Sequence, residues 1–152
     1  MRKGFTLVEI LIVVFIIGLL SSIVLVGLGS FRARGRDARR IADLHSVQNA
    51  LELYFSKEGI YPSVTANSQS SWRSFADVLI SAGIGVNVMP NDPAANAGKF
   101  YQYGASSDSL NYVLEATLED TNNPVLKEDV DSNVYGIDCS ETPTEANYCV
   151  QF

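Results

Sequence analysis

The stretch that decides the fold is MRKGFTLVEILIVVF, residues 1–15. Glu9 stands inside what otherwise reads as a membrane segment. From Ile10 to Gly29 no residue is charged, and twenty helical residues rise about 30 Å, the thickness of a bilayer's hydrocarbon core. A carboxylate at that depth is costly and marks a functional candidate. Its local reading is simpler. Thr6 followed three residues later by Glu9 matches a capping box, in which the two side chains satisfy each other's free backbone N–H groups at a helix start.

The apolar run does not end the helix. No proline occurs from Met1 to Tyr61, so one helix can continue from Thr6 to Glu58, near 80 Å long at about 1.5 Å per residue. Past Phe31 its character changes. Ile41, Leu44, Val47, Leu51, Tyr54 and Phe55 recur at spacings of three and four with polar residues between them, which is one apolar stripe on an amphipathic helix. Gly59 supplies the stop and Pro62 follows. His45, the only histidine, lies off the stripe and reads as a surface residue. The small residues Gly18, Ser21, Ser22, Gly27 and Gly29 suit close helix packing in the apolar half.

Downstream, residues 61–98 read as a loop holding one short helix, capped by Ser70 or Ser71, with Trp72, Phe75, Ala76 and Leu79 on its buried face and Gly83 at its end. MPNDPAANAG (89–98) is a tight connector rich in turn residues. The last third reads as strands: FYQYG (100–104), LNYVLEATLE (110–119), NVYGI (133–137) and YCVQF (148–152). The period-two pattern puts Leu110, Tyr112, Leu114, Ala116 and Leu118 on one face and Val113, Glu115 and Thr117 on the other. A small antiparallel sheet must bury its apolar face, and the helical stripe is the available partner. The fold class is therefore α+β.

Charge is divided along the 152 residues. Seven of the eleven basic residues lie by position 40, five of them at Arg32, Arg34, Arg36, Arg39 and Arg40; from His45 onward four basic residues face fourteen acidic ones, a balance of −10. An acidic body with a basic neck argues against a nucleic-acid-binding domain. Cys139 and Cys149 have no further metal ligands near them, so a disulfide is favoured over two free thiols, and it implies an oxidising compartment; closing that loop contributes roughly 3 kcal/mol. No metal site is expected. The acids of the 119–131 loop lack the ordered spacing of a calcium loop, so no cofactor is assigned, calcium being the one ion that acidic loop brings into question. No phosphate loop, zinc-protease or hydrolase motif occurs, and the chain is not expected to be an enzyme.

The basic leader Met1–Gly4, then Phe5-Thr6-Leu7-Val8-Glu9, then the apolar helix, resembles the type IV pilin and type II secretion pseudopilin superfamily, with its prepilin-type N-terminal methylation motif. An ordinary secretory peptide is cut after its apolar segment; this family's peptidase cuts before it. NDPAANAGKFYQYG (91–104) is similar to the Asp-Pro…Tyr-x-Tyr segment of major pseudopilins. The resemblance implies the type IV pilin fold, with a leader 1–4 cleaved between Gly4 and Phe5, N-methylation of Phe5, and a transmembrane and filament-core half-helix 5–31. It implies an extracytoplasmic domain 32–152, made of helix 32–58, the loop with its short helix at 61–98, and a sheet at 99–152.

As partners the resemblance implies further copies of the chain in a helical filament, a prepilin peptidase and methyltransferase, a pilus or type II secretion assembly platform, and the inner membrane as the precursor's site. The subunit would span that membrane once with its N-terminus inside, and later stand at the cell surface. In the filament, the new amine of Phe5 would pair with Glu9 of a neighbour. A major pilin is the first reading; a major pseudopilin, or a minor or tip pilin serving adhesion or DNA uptake, is the alternative. Positive-inside counting opposes this topology, since five neck arginines outweigh Arg2 and Lys3; pairing of those arginines with acids of neighbouring subunits is the expected resolution.

Overall fold

The computed structural model describes residues 4–142 and 144–152, without the side chains of residues 23–28. One helix, α1 (Leu7–Glu58), runs unbroken through both halves of the expected span. Thr6 caps it in extended conformation and Gly59 ends it at φ 76°, the left-handed conformation that a glycine adopts without penalty. The expected membrane half, 5–31, includes residues 23–28. Among the described residues no helix is long and apolar enough to cross a membrane. Residues 1–3 of the leader lie outside the described residues.

The second helix, α2 (Gln69–Ser81), is capped by Ser68 rather than by Ser70 or Ser71: the Ser68 hydroxyl accepts the Ser71 N–H and the Ser71 hydroxyl receives the Ser68 N–H. Reciprocal capping requires an i, i+3 pair, and only Ser68 with Ser71 sets Trp72 on the first inward turn. Trp72, Phe75, Ala76 and Leu79 are buried.

Strands β1 (Gln102–Ala105), β2 (Tyr112–Leu118) and β5 (Ala146–Gln151) form an antiparallel sheet with β2 in the middle. Its inner face packs Tyr103, Tyr112, Leu114, Ala116, Leu118 and Tyr148 into one core with Leu44, Val47, Ala50 and Leu51 of α1 and the buried face of α2. Buried tyrosines of this core carry the hydroxyl to an oxygen: Tyr103 donates to Pro62 O at 2.8 Å and Tyr61 to Glu52 at 3.0 Å. Leu110, expected on the inner face, is 48% exposed, because β2 begins only at Tyr112 and the bend at Ser109 (φ 55°) precedes it.

The segment NVYGI is not one strand but a hairpin, β3 (Asn133–Val134) and β4 (Ile137–Asp138). Its two turn residues, Tyr135 (φ 49°) and Gly136 (φ 82°), both hold positive φ, the requirement of a two-residue turn matching strand twist. This hairpin lies on the outer face of the sheet. Val113, Ile137, Cys139 and Cys149 form a second small core there, and Cys139 and Cys149 are joined by a disulfide.

Gly104 makes the close approach possible. A Cβ at that position would stand 2.7 Å from the Tyr135 carbonyl oxygen and 3.0 Å from Ile137 Cγ1. Gly104→Ala should therefore destabilise the domain by about 1–3 kcal/mol, read as a lowered urea midpoint; an unchanged midpoint would show that the hairpin shifts freely.

Candidate functional site

Two regions carry chemistry: the helix start and the neck. At the start, Glu9 Oε2 receives both the Thr6 N–H and the Thr6 hydroxyl at 2.8 Å, and the Thr6 hydroxyl in turn accepts the Glu9 N–H at 3.3 Å. The capping box read from sequence is present. No hydrogen bond reaches Oε1 among the described residues, so one oxygen of the carboxylate remains for a further partner. Around it, side chains from Phe5 (83% exposed) to Leu20 (56%) stand open. That much contiguous apolar surface marks an interaction face.

At the neck, α1 turns from apolar all round to one-sided, and there its arginines meet acids of the same chain. Arg40 is fully buried. Its Nε and Nη2 donate to the two oxygens of Asp92 at 2.7 and 3.1 Å, and Nη1 donates to Asp37 at 2.7 Å and Glu119 at 2.9 Å. Asp37, one turn back on α1, also accepts the backbone N–H groups of Glu119 and Asp120, each at 2.9 Å. Arg36 grips Glu119 with both of its forks, at 2.7 and 2.5 Å; Arg34 pairs with Asp120 and Arg39 with Asp43, each at 3.6 Å. The expectation that these arginines wait for a neighbour is corrected: four of the five are engaged within the chain. Sequence spacing could offer only the local partners Asp37 and Asp43, because Asp92, Glu119 and Asp120 come from segments remote along the chain.

The electrostatics follow the geometry. Burial alone would weaken the hold of Arg40 on its proton, and the hydrogen bonds from Asp92, Glu119 and Asp37 outweigh that, leaving its pKa raised. The Arg36 and Arg40 guanidiniums hold the Glu119 carboxyl down at about 2. A buried pair is costly to break because removing one partner strands the other.

Near the C-terminus the structure gathers Asp129, Asp131 and Glu141, with one oxygen of each within 4.8 Å of the others. Asp129 Oδ2 accepts the Cys149 N–H at 2.9 Å, while its buried Oδ1 has no partner among the described residues, and burial raises its pKa. Hard oxygen donors with one orphaned oxygen fit calcium. Sequence spacing missed the set because Glu141 enters from beyond the hairpin. His45 stays at the surface, its Nδ1 2.9 Å from Gln48 Oε1, and no nucleophile is placed beside it among the described residues.

Residues 1–25 match the family model of the prokaryotic N-terminal methylation motif. The type II secretion system core protein G of Vibrio cholerae is 30% identical over 118 residues, covering 71% of this chain and 75% of that protein. The type IV major pilin protein PilE of Neisseria gonorrhoeae is 27% identical, covering 55% of this chain and 54% of its own. The type IV major pilin protein PilA of Myxococcus xanthus is 24% identical, covering 80% and 69%. No solved structure matches the chain.

The neck network yields a directed test. Arg40→Met leaves the buried Asp92 carboxylate without its cation and takes one donor from Asp37 and Glu119, so the domain should lose about 3–5 kcal/mol, measured by urea unfolding of the full chain in detergent. Because the folded pKa of Glu119 lies below its ordinary value of 4.5, its contribution is complete above that pH and is lost as pH falls toward about 2. Wild type should therefore shed stability in that acid window, and Glu119→Gln should not show that loss. Equal acid sensitivity in the two proteins would remove the role given to Glu119.

Proposed function

The chain belongs to the superfamily of type IV pilins and type II secretion pseudopilins and is a subunit of a pilin-like filament; from that premise we propose that it is the major structural subunit of a surface pilus. The observation that carries this reading is the exposed apolar stretch Phe5–Leu20 at the start of α1, beside an amphipathic half docked on the domain. One half must be covered by lipid or by other copies; the other already has its domain.

In this reading the precursor sits in the inner membrane with Gly4 and Phe5 at the cytoplasmic face. A peptidase cuts between them, Phe5 is methylated, and an assembly platform moves the subunit into the filament. The cut gives Phe5 a cationic amine. Glu9 of an adjacent subunit offers the balancing carboxylate, with Oε2 kept on its own cap and Oε1 open to the amine. Pairing in a water-poor core selects the axial register, because either group left alone is penalised. The surface arrangement of residues suggests no catalytic role.

A second reading, a core pseudopilin of a secretion system, is favoured by the span of the match to the Vibrio protein and by the acidic triad. In that case Asp129, Asp131 and Glu141 would hold a calcium ion, which would tie the disulfide loop to β5. Calcium should then raise the melting temperature of the full chain, and a chelator should reverse the rise. No response to either would leave the triad as a solvated acidic surface.

The experiment for the first reading is filament yield against the processed membrane pool. The mature chain should begin at Phe5 by mass. Glu9→Gln keeps an oxygen for the cap but loses the charge, so insertion and cleavage should persist while filament yield falls roughly tenfold or more. Normal filaments from Glu9→Gln would reduce Glu9 to a helix cap.

A further inference from the structure

Glu115 lies in the middle of β2, fully buried, on the outer face of the sheet. Its register partners are Gln102 on β1 and Cys149 on β5, so it sits beside the disulfide. Each carboxyl oxygen has one neutral partner: the Gln102 amide donates to Oε2 at 2.7 Å and the Thr117 hydroxyl to Oε1 at 3.0 Å. No ion pair reaches it among the described residues. The charged groups that face it are Lys99, exposed to solvent, and Asp92, whose charge is already taken by Arg40; both come from the turn ahead of β1. From β5 it meets Cys149 of the disulfide, and the hairpin packs Val134 and Ile137 on that cysteine and on Val113, neighbours of Glu115 on the same face, with Asp138 held by Ser140.

We propose that Glu115 is a proton-controlled latch on the sheet: with its carboxyl neutral the outer cover lies closed over β1, β2 and β5, and with its carboxylate charged the cover opens to water. A dry, uncompensated charge must either keep its proton or reach solvent. The turn 92–99 is held to α1 through Asp92 and Arg40, so the part that can lift to admit solvent is the hairpin with its disulfide loop. Opening leaves the inner core and α1 in place, so the device acts on the domain's outer surface and is separate from the filament reading. A subunit so built is tightest in mild acid and loosens as its surroundings turn alkaline.

The direction follows from linkage. Burial, opposed by the hydrogen bonds of Gln102 and Thr117, pushes the Glu115 carboxyl up to about 7 from 4.5. A raised carboxylate pKa means that the closed form holds the proton longer than the open form. Closing is therefore favoured most below 4.5 and progressively less as pH rises to about 7, beyond which the loss is complete.

The test is hydrogen exchange on the full chain in detergent micelles, comparing wild type with Glu115→Gln at the same pH. The ratio of wild-type to variant opening at the hairpin amides of residues 133–138 and at the Cys149 amide, which Asp129 of the covering loop holds, should grow roughly 70-fold between about pH 5 and about pH 8. A constant ratio would overturn the proposal. Carbon-13 NMR of the wild-type glutamate carboxyls provides a second arm that does not depend on the variant folding. One resonance, missing in Glu115→Gln or assigned through its backbone, should titrate near pH 7, and titration near 4.5 would overturn the proposal as well.

Discussion

A guanidinium taken out of water must be surrounded by oxygens, and the placement of Arg40 orders much of the domain around that need. Its fork draws in Asp92 from the connector, Asp37 from the helix and Glu119 from the strand end. Two segments remote in sequence are thereby fixed to one turn of α1. The location matters as much as the chemistry. This turn is where α1 stops being an apolar rod and becomes the spine of a domain, so the network sets where the globular part begins along the helix. Replacing it by apolar residues could be equally stable, but a greasy contact would tolerate sliding along the helix, whereas four charge-assisted bonds do not.

The same network answers the conflict raised by the neck arginines. Counted along the chain they are a positive block that should remain on the cytoplasmic side. In the folded domain Arg34, Arg36, Arg39 and Arg40 each meet a carboxylate, and the block is largely neutralised by its own body. Arg32 alone among them makes no ion pair within the described residues. The apolar half of the helix thus joins an almost charge-balanced shoulder, and copies packed side by side would bring few bare guanidiniums against one another.

How much of this was legible depended on the range of the cause. The continuous helix, its capping box and its one-sided stripe follow from residues three and four apart, and they stand where the pattern put them. The strand at Tyr112–Leu118 was legible by alternation, and the disulfide by the absence of any competing ligand. The hairpin at Asn133–Asp138 was misread as a strand because β-branched and aromatic residues outweighed the turn chemistry of Tyr135-Gly136. Period two placed Glu115 on the face opposite the core residues but could not say that this face is buried as well. The distant Arg40 partners Asp92 and Glu119 and the Asp129–Asp131–Glu141 set were invisible for the same reason: each is brought together by tertiary packing.

Glu9, the residue that looked misplaced at the outset, caps the helix, and the proposed pairing would give the same side chain a distant role as well. A cap needs a single acceptor at the first turn, and the structure uses only Oε2 for it. A carboxylate has two oxygens and up to four acceptor directions, so the cap consumes one oxygen and leaves the other. Capping also fixes the rotamer, which means that Oε1 is presented in a defined place rather than sampled. An ion pair between subunits is strongest when its partners are already oriented, because less freedom is lost on contact. The cap is therefore compatible with the proposed pairing to a neighbour's amine. In that proposal it is the preorganisation that would let a charge inside an apolar rod select one register of its neighbour over the others.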